Sequence, residues 1–191
     1  MNEYANPANA GNIFHATTVI VVRRGGLVAM AGDGQVTFNN TVLKSSAKKV
    51  RRMYEDRVLA GFAGAASDAF TLFDMFEKKL EQYMGAMSRA AYELAREWRQ
   101  DKYLRRLEAM LLVADSEKMY LINGAGDIVE PDYDAIAIGS GSPMAYSAAL
   151  AMLENTCLAA DEIARKSLEI ASRICVFTNS NITLETLETK K

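Results

Sequence analysis

Over residues 17–63 the chain carries strand and turn signals without a helical period, and two long helical segments follow before strands return. That order restricts the ways the chain can be layered. Runs rich in β-branched and aromatic residues occupy 17–24, 27–33, 36–38, 41–44, 49–54 and 58–63. They are punctuated by Arg24-Gly25-Gly26, Gly32-Asp33-Gly34 and Glu55-Asp56-Arg57, chemistry that turns one strand back onto the next. A helix is expected over 67–84, with Phe70, Phe73, Phe76 and Leu80 at three- and four-residue spacing and Gly85 as its stop. A second, capped by Ser88, is expected over 88–106 with Ala91, Leu94, Ala95 and Trp98 on one face. Strands are expected at 109–114, 119–122 and 136–138, helices at 143–154 and 161–174, and closing strands at 175–178 and 182–187. Strands, two helices, strands, two helices, strands is an α+β order. Two antiparallel sheets packed face to face, with a helix pair on each outer side, satisfy it: a four-layer αββα sandwich.

The 191 residues suffice for one domain with a substantial core, and neither a linker nor an internal repeat interrupts 17–191. A net charge of −2 gives no electrostatic reason to expect nucleic acid or an anionic membrane as partner. No stretch approaches the ~20 apolar residues needed to cross a bilayer. Two cysteines, Cys157 and Cys175, cannot frame a disulfide scaffold in a chain this long and read as buried free thiols. A cytoplasmic protein is the expectation.

Residues 1–16 differ from the rest: four Asn, four Ala, one Pro and one Gly, with no hydrophobic period. They lack the basic start and apolar core of a secretory signal and read as a leader removed on maturation. The junction falls at His15-Ala16-Thr17-Thr18. Cutting before Thr17 would place a hydroxyl nucleophile and a free α-amine on one residue, a recognised way to activate threonine. His15 is the only histidine and lies in the leader, so a Ser-His-Asp or Cys-His device in the remainder is excluded. With no Cys-x-x-Cys and no histidine cluster, zinc is not expected.

Three further features admit a bland and a sharp reading. Gly139-Ser140-Gly141-Ser142-Pro143 precedes a helix and could cradle a phosphate, but it lacks the Gly-Lys-Ser/Thr ending of a P-loop. A tight turn with Pro143 at the first helical position is the favoured reading. Lys48-Lys49-Val50-Arg51-Arg52 reads first as a solvated strand with paired charges, although a lysine there could depress the pKa of a nearby amine. Asp33 is by default a turn-former, and in the sharper reading a carboxylate that fixes a lysine.

Eight blocks bring these features together. They are Thr17-Thr18-Val19-Ile20-Val21-Val22-Arg23-Arg24, Ala31-Gly32-Asp33-Gly34-Gln35-Val36, Ala47-Lys48-Lys49-Val50-Arg51-Arg52 and Leu59-Ala60-Gly61-Phe62-Ala63-Gly64. Asp68-Ala69-Phe70-Thr71-Leu72-Phe73, Leu107-Glu108-Ala109-Met110-Leu111, Ala137-Ile138-Gly139-Ser140-Gly141 and Ile174-Cys175-Val176-Phe177-Thr178-Asn179 complete the set. In this order they resemble the HslV (ClpQ) family, bacterial relatives of the proteasome β-subunit.

The resemblance implies the N-terminal-nucleophile hydrolase fold and a threonine-type peptidase with Thr17 as mature N-terminus and nucleophile. By position, Asp33 and Lys49 are its supporting carboxylate and lysine. Gly61 is implied as an oxyanion-stabilising N–H, and Ser140 as the serine close to the nucleophile's amine. A sodium ion bound by main-chain oxygens of Ser172, Cys175 and Thr178 is also implied. So is assembly into two stacked six-membered rings, fed with unfolded polypeptides by a hexameric partner ATPase, HslU, which carries the nucleotide site. The chain departs from the family in Ser142 and Ser172, where glycine is usual, and in the length of its leader. An inactive ring-forming subunit of the same fold and a small-molecule amidohydrolase are the competing readings. Asp33, Lys49 and Ser140 disfavour the first, and the lack of further convergent polar residues disfavours the second.

Overall fold

In the computed structural model the described residues are 14–15, 17–64, 66–102, 104 and 109–188. The first sheet has the order β11 (Ala135–Gly139), β2 (Thr18–Arg24), β3 (Leu27–Gly32), β12 (Thr183–Glu188). The second runs β10 (Ile128–Val129), β9 (Met119–Asn123), β8 (Ala109–Ala114), β7 (Val58–Gly64), β6 (Val50–Met53). A third, small sheet joins β1 (Phe14–His15), β4 (Val36–Phe38) and β5 (Thr41–Lys44). Every pairing is antiparallel.

Helices α1 (Ala66–Gln82) and α2 (Met87–Gln100) cover the outer face of the second sheet, and α3 (Ser142–Asn155) and α4 (Ala160–Ile174) that of the first. The expected αββα sandwich is the architecture found.

β2 shows why its sequence does not alternate. Val19 and Val21 enter the core between the sheets, against Met30, Leu59 and Leu112. Ile20 and Val22 point the other way, against Ile163 and Leu168 of α4. A strand buried on both faces needs apolar residues at every position. Each such side chain contributes about 1.5–3 kcal/mol of transfer free energy, so β2 is held firmly at the centre of its sheet. β7 repeats the design: Leu59 and Ala63 face the first sheet, while Val58, Ala60 and Phe62 face α1 and α2. The strands that deliver the site residues are therefore the most deeply packed ones.

Several local expectations change. Residues 175–178 form a turn, with Thr178 N–H donating to the Cys175 carbonyl at 3.1 Å and Val176 exposed. Apolar composition there resembled a strand, but the segment caps α4. α2 ends at Gln100 because Asp101 turns extended and its carboxylate accepts the Leu104 N–H at 2.9 Å; residues 105–106, which the helix was expected to include, lie outside the described residues. Ser88 lies inside the first turn of α2, not at its cap, and its hydroxyl meets Tyr120 Oη at 3.1 Å. The short β10, which has no strand-length apolar run, went unanticipated. Cys157 is exposed, whereas Cys175 is buried as expected.

Phe70 shares the apolar stripe of α1 yet is exposed, with the Arg51 guanidinium 5.2 Å from its ring centroid. Phe76, two turns on, is fully buried among α2 and the second sheet. Phe76→Ala is therefore expected to lower stability by about 3–5 kcal/mol, and Phe70→Ala by about 1 kcal/mol, as read by urea denaturation. Equal losses would mean that the stripe is buried throughout.

Candidate active site

One end of the sandwich gathers the start of β2, the end of β3, the entry to β6 and the β11–α3 turn. Thr17 and Thr18 are buried, and the Thr17 carbonyl accepts the Ser140 N–H at 2.9 Å. That short bond needs a bare backbone on the other side. Gly139 has φ +91°, and a Cβ on it would collide with the Thr17 carbonyl. The Thr18 hydroxyl oxygen accepts the Gly141 N–H at 2.9 Å and lies 2.7 Å from Thr178 Oγ1. The glycine-rich turn is thus spent on holding the Thr17–Thr18 backbone, and Pro143 enters the first turn of α3 as expected.

Asp33 and Lys49 form the electrostatic centre. Lys49 Nζ and Asp33 Oδ1 are 2.9 Å apart, and both side chains are buried (1% and 0% exposed). The solvated-strand reading of the basic cluster fails at this one residue. Lys49 precedes β6 and turns inward, whereas Lys48, Arg51 and Arg52 remain exposed. Asp33 also accepts three main-chain N–H bonds: Thr18 on Oδ1 at 2.7 Å, Gln35 on Oδ2 at 2.9 Å and Asn179 on Oδ2 at 3.2 Å. A carboxylate with this many donors is stable without water. The Lys49 ammonium has a second acceptor in the Gln35 carbonyl. Burial pushes the Lys49 pKa below the ordinary lysine value, and the Asp33 charge and hydrogen bond pull against that shift.

Gly61 lies deeper in the sandwich than the site. It pairs with Val50 on β6 and with Leu112 on β8, and a Cβ on it would collide with the Val19 side chain. Phe62 donates its N–H to the Lys49 carbonyl at 3.3 Å, on the β6 side. Backbone groups alternate along an antiparallel strand, so Gly61 directs its N–H to the β8 ladder. The next amide on the β6 side after Phe62 is that of Gly64, past the first residue of β6. The register therefore replaces Gly61 by Gly64 as the amide that faces the open end of the site. Two adjacent glycine-containing triplets, Ala60-Gly61-Phe62 and Ala63-Gly64-Ala65, look alike until strand pairing separates them.

Ser140 is exposed beside Thr17. Ser172 lies in the last turn of α4, where its hydroxyl donates to the Glu169 carbonyl at 2.8 Å. Cys175 and Thr178 frame the turn that follows, and both are buried.

Sequence reasoning gave no role to Thr18, Gln35 or Asn179, and gave Thr178 one only through its main-chain oxygen, not through the hydroxyl that meets Thr18. Asn179 Oδ1 accepts the Gly34 N–H at 3.0 Å and its Nδ2 donates to the Ser45 carbonyl at 2.9 Å, so it joins the loops on either side of the ion pair. Neutral side chains scattered over the chain give no spacing signal, and only the fold assembles them.

Asp33→Asn leaves a buried lysine with no compensating charge, and is expected to cost about 3–5 kcal/mol. Lys49→Met should cost clearly less, because Asp33 keeps its three main-chain donors. Urea denaturation of both variants gives the order, and a reversal would place the structural weight on Lys49.

Comparison with known proteins gives the family. A family model described as proteasome subunit matches residues 13–187. The chain is 58% identical over 176 residues to the ATP-dependent protease subunit HslV of Caldanaerobacter subterraneus subsp. tengcongensis, covering 92% of this chain and 100% of that one. It superposes on the crystal structure of eukaryotic HslV from Trypanosoma brucei with a TM-score of 0.85 and 44% identity, over 90% of this chain and 99% of the other. Thiobacillus denitrificans BPH shares the fold, with a TM-score of 0.69 and 21% identity over 91% and 98% of the two chains. With a buried Asp33–Lys49 pair under the start of β2, and a family match over nearly its whole length, the chain belongs to the proteasome subunit family.

Proposed function

We propose that this chain is a threonine-type peptidase, the proteolytic subunit of an ATP-dependent protease, and that Thr17 becomes its nucleophile when the Ala16–Thr17 bond is cut. The observation that carries the reading is the buried Lys49–Asp33 pair, held by the Thr18 amide at the residue next to the proposed nucleophile. The energetic cost of burying two charges is hard to justify by stability alone. It is well suited to keeping a positive potential beside an amine that must stay neutral.

In the cut chain the Thr17 hydroxyl attacks a peptide carbonyl and its own α-amine takes the proton. The same amine returns that proton to the departing amino group, leaving an ester at Thr17. Water, deprotonated by the amine, then cleaves the ester and restores the hydroxyl. A free α-amine titrates near 7.7–8.0, close to the working range of a general base, and Lys49 favours its neutral form. The Gly64 N–H is the amide positioned to meet the developing oxyanion, and preorganised donors of this kind usually supply the largest single share of rate enhancement. Ser140, whose N–H is bonded to the Thr17 carbonyl, is our candidate for the hydroxyl that assists the amine.

The leader supports a peptide substrate. β1, which ends one residue before the bond to be cut, pairs antiparallel with β4 through Phe14↔Phe38 and His15↔Thr37. An extended chain on the acyl side of a scissile bond can take the same edge by strand addition.

We further propose the rest of the assembly. The subunits form a double hexameric ring, and a hexameric ATPase of the HslU kind delivers unfolded chains, so no nucleotide site is needed here. We place the enzyme in the cytoplasm; among the described residues no helix is long and apolar enough to cross a membrane. Ser172, Cys175 and Thr178 fit a sodium ion through their carbonyls. Last-turn carbonyls lack intrahelical partners and lie at the negative end of the helix dipole. The Cys175 carbonyl accepts the Thr178 N–H at 3.1 Å and retains a second lone pair. Bound there, the ion would supply charge that orders the turn carrying Thr178.

N-terminal sequencing of active material should start at Thr17; full activity in protein that still begins at Met1 would end the free-amine mechanism. Thr17→Ala should abolish hydrolysis of a fluorogenic peptide while rings still form by native mass spectrometry. A bell-shaped pH profile of kcat/KM is also expected. Its acid limb follows protonation of the α-amine, which removes the base. Its alkaline limb follows loss of the Lys49 proton and falls below the ordinary lysine value of 10.5, because burial lowers that pKa. A profile flat from pH 6 to 10, a window of about two units on either side of the amine's ordinary range, would exclude the amine as base, and an alkaline limb at or above 10.5 would exclude the role of Lys49.

A further inference from the structure

Gln35 is where three parts of the site meet. Its backbone N–H donates to Asp33 Oδ2 at 2.9 Å and its carbonyl accepts the Lys49 ammonium. Its side-chain Nε2 donates to Thr37 Oγ1 at 2.9 Å and to the Val176 carbonyl at 2.9 Å. The residue is 6% exposed, so water does not substitute for these bonds. Both carboxamide hydrogens are used. The main-chain groups of Gln35 therefore touch both members of the ion pair, while its side chain reaches the strand on which β1 lies.

Chemistry explains the choice of a neutral amide. A glutamate here would set an acceptor against the Val176 carbonyl and add a second anion beside Lys49. An aliphatic side chain would fill the space but leave the Thr37 hydroxyl and the Val176 carbonyl without this donor. Thr37 pairs with His15 in the present register and is itself buried. A peptide strand that orders Thr37 thereby orders the Gln35 carboxamide, and with it the carbonyl that holds the ammonium.

We propose that Gln35 is a positioning residue that couples occupancy of the β4 edge to the placement of the Lys49 ammonium, so that an extended substrate improves the catalytic geometry and not only its own binding. The proposal rests on the threonine-peptidase reading. Substrates too short to pair with Thr37 forgo this gain.

The test uses the cut, assembled chain with its ATPase partner and ATP. It compares fluorogenic amides carrying one or four residues before the scissile bond. Wild type should show a higher kcat for the longer substrate. Gln35→Met should lower that kcat by about tenfold or more, the scale expected from a displaced catalytic group, with KM changed by less than about threefold, and the long-to-short ratio of kcat should approach one. Thr37→Val should reproduce the loss, and the double variant should be no worse than Gln35→Met alone, since coupled residues are not additive. A Gln35→Met enzyme with wild-type kcat, a loss confined to KM, or an additive double variant would overturn the coupling. If Gln35→Met does not assemble, Thr37→Val carries the same comparison, and an unchanged ratio there overturns it equally. Absence of hydrolysis in wild type, together with no adduct at Thr17 from a peptide vinyl sulfone by intact mass, would instead remove the peptidase reading beneath it.

Discussion

The ion pair between Lys49 and Asp33 is the constraint around which the rest of the site is arranged. Two opposite charges are removed from water, and the structure answers each with further partners: three main-chain amides on the carboxylate and a carbonyl on the ammonium. Those partners come from β2, from the segment after β3 and from the turn after α4. Satisfying one buried carboxylate therefore fixes three chain segments relative to one another. Removing either charge disturbs them all, although unequally, because the carboxylate has the larger number of fixed donors.

The sandwich supplies the stiffness that such a cluster needs. β2 and β7 are packed on both faces, so the residues at their ends inherit positions set by two cores at once. The nucleophile candidate lies at the first residue before β2, and the candidate oxyanion amide at the last residue of β7. The candidate site is placed where rigid strands end, and the Ser140 N–H to Thr17 carbonyl bond carries the β2–β11 pairing one step beyond the strands, into the turn before α3.

Much of this was legible in the sequence, and the failures have physical causes. Layer order and most strand positions follow from periodicity and turn chemistry, and the resemblance singled out Thr17, Asp33, Lys49 and Ser140, which the fold brings to one end of the sandwich. Lys49 was not legible from composition: neighbouring lysines and arginines conceal the one that turns inward, because burial is decided by the sheet opposite. Gly61 and Gly64 could not be told apart without knowing which amides face β6. Residues 175–178 have strand-like composition, yet the helix before them needs a cap, and local capping outweighed propensity. Gln35 and Asn179 are uncharged and far apart along the chain, so nothing short of the fold could have joined them at Asp33.

The small sheet has a consequence of its own. β4 lies between β1 and β5, so loss of the leader leaves β4 with one neighbour and an open row of amides and carbonyls. Unpaired edges of this kind recruit extended chains without regard to sequence and are a hazard in a crowded solution. The proposed cut before Thr17 would thus make a sticky seam at the same stroke as it frees the amine. A closed vessel that turned this seam inward would confine its adhesion to chains already admitted, and would make the hazard a means of capture.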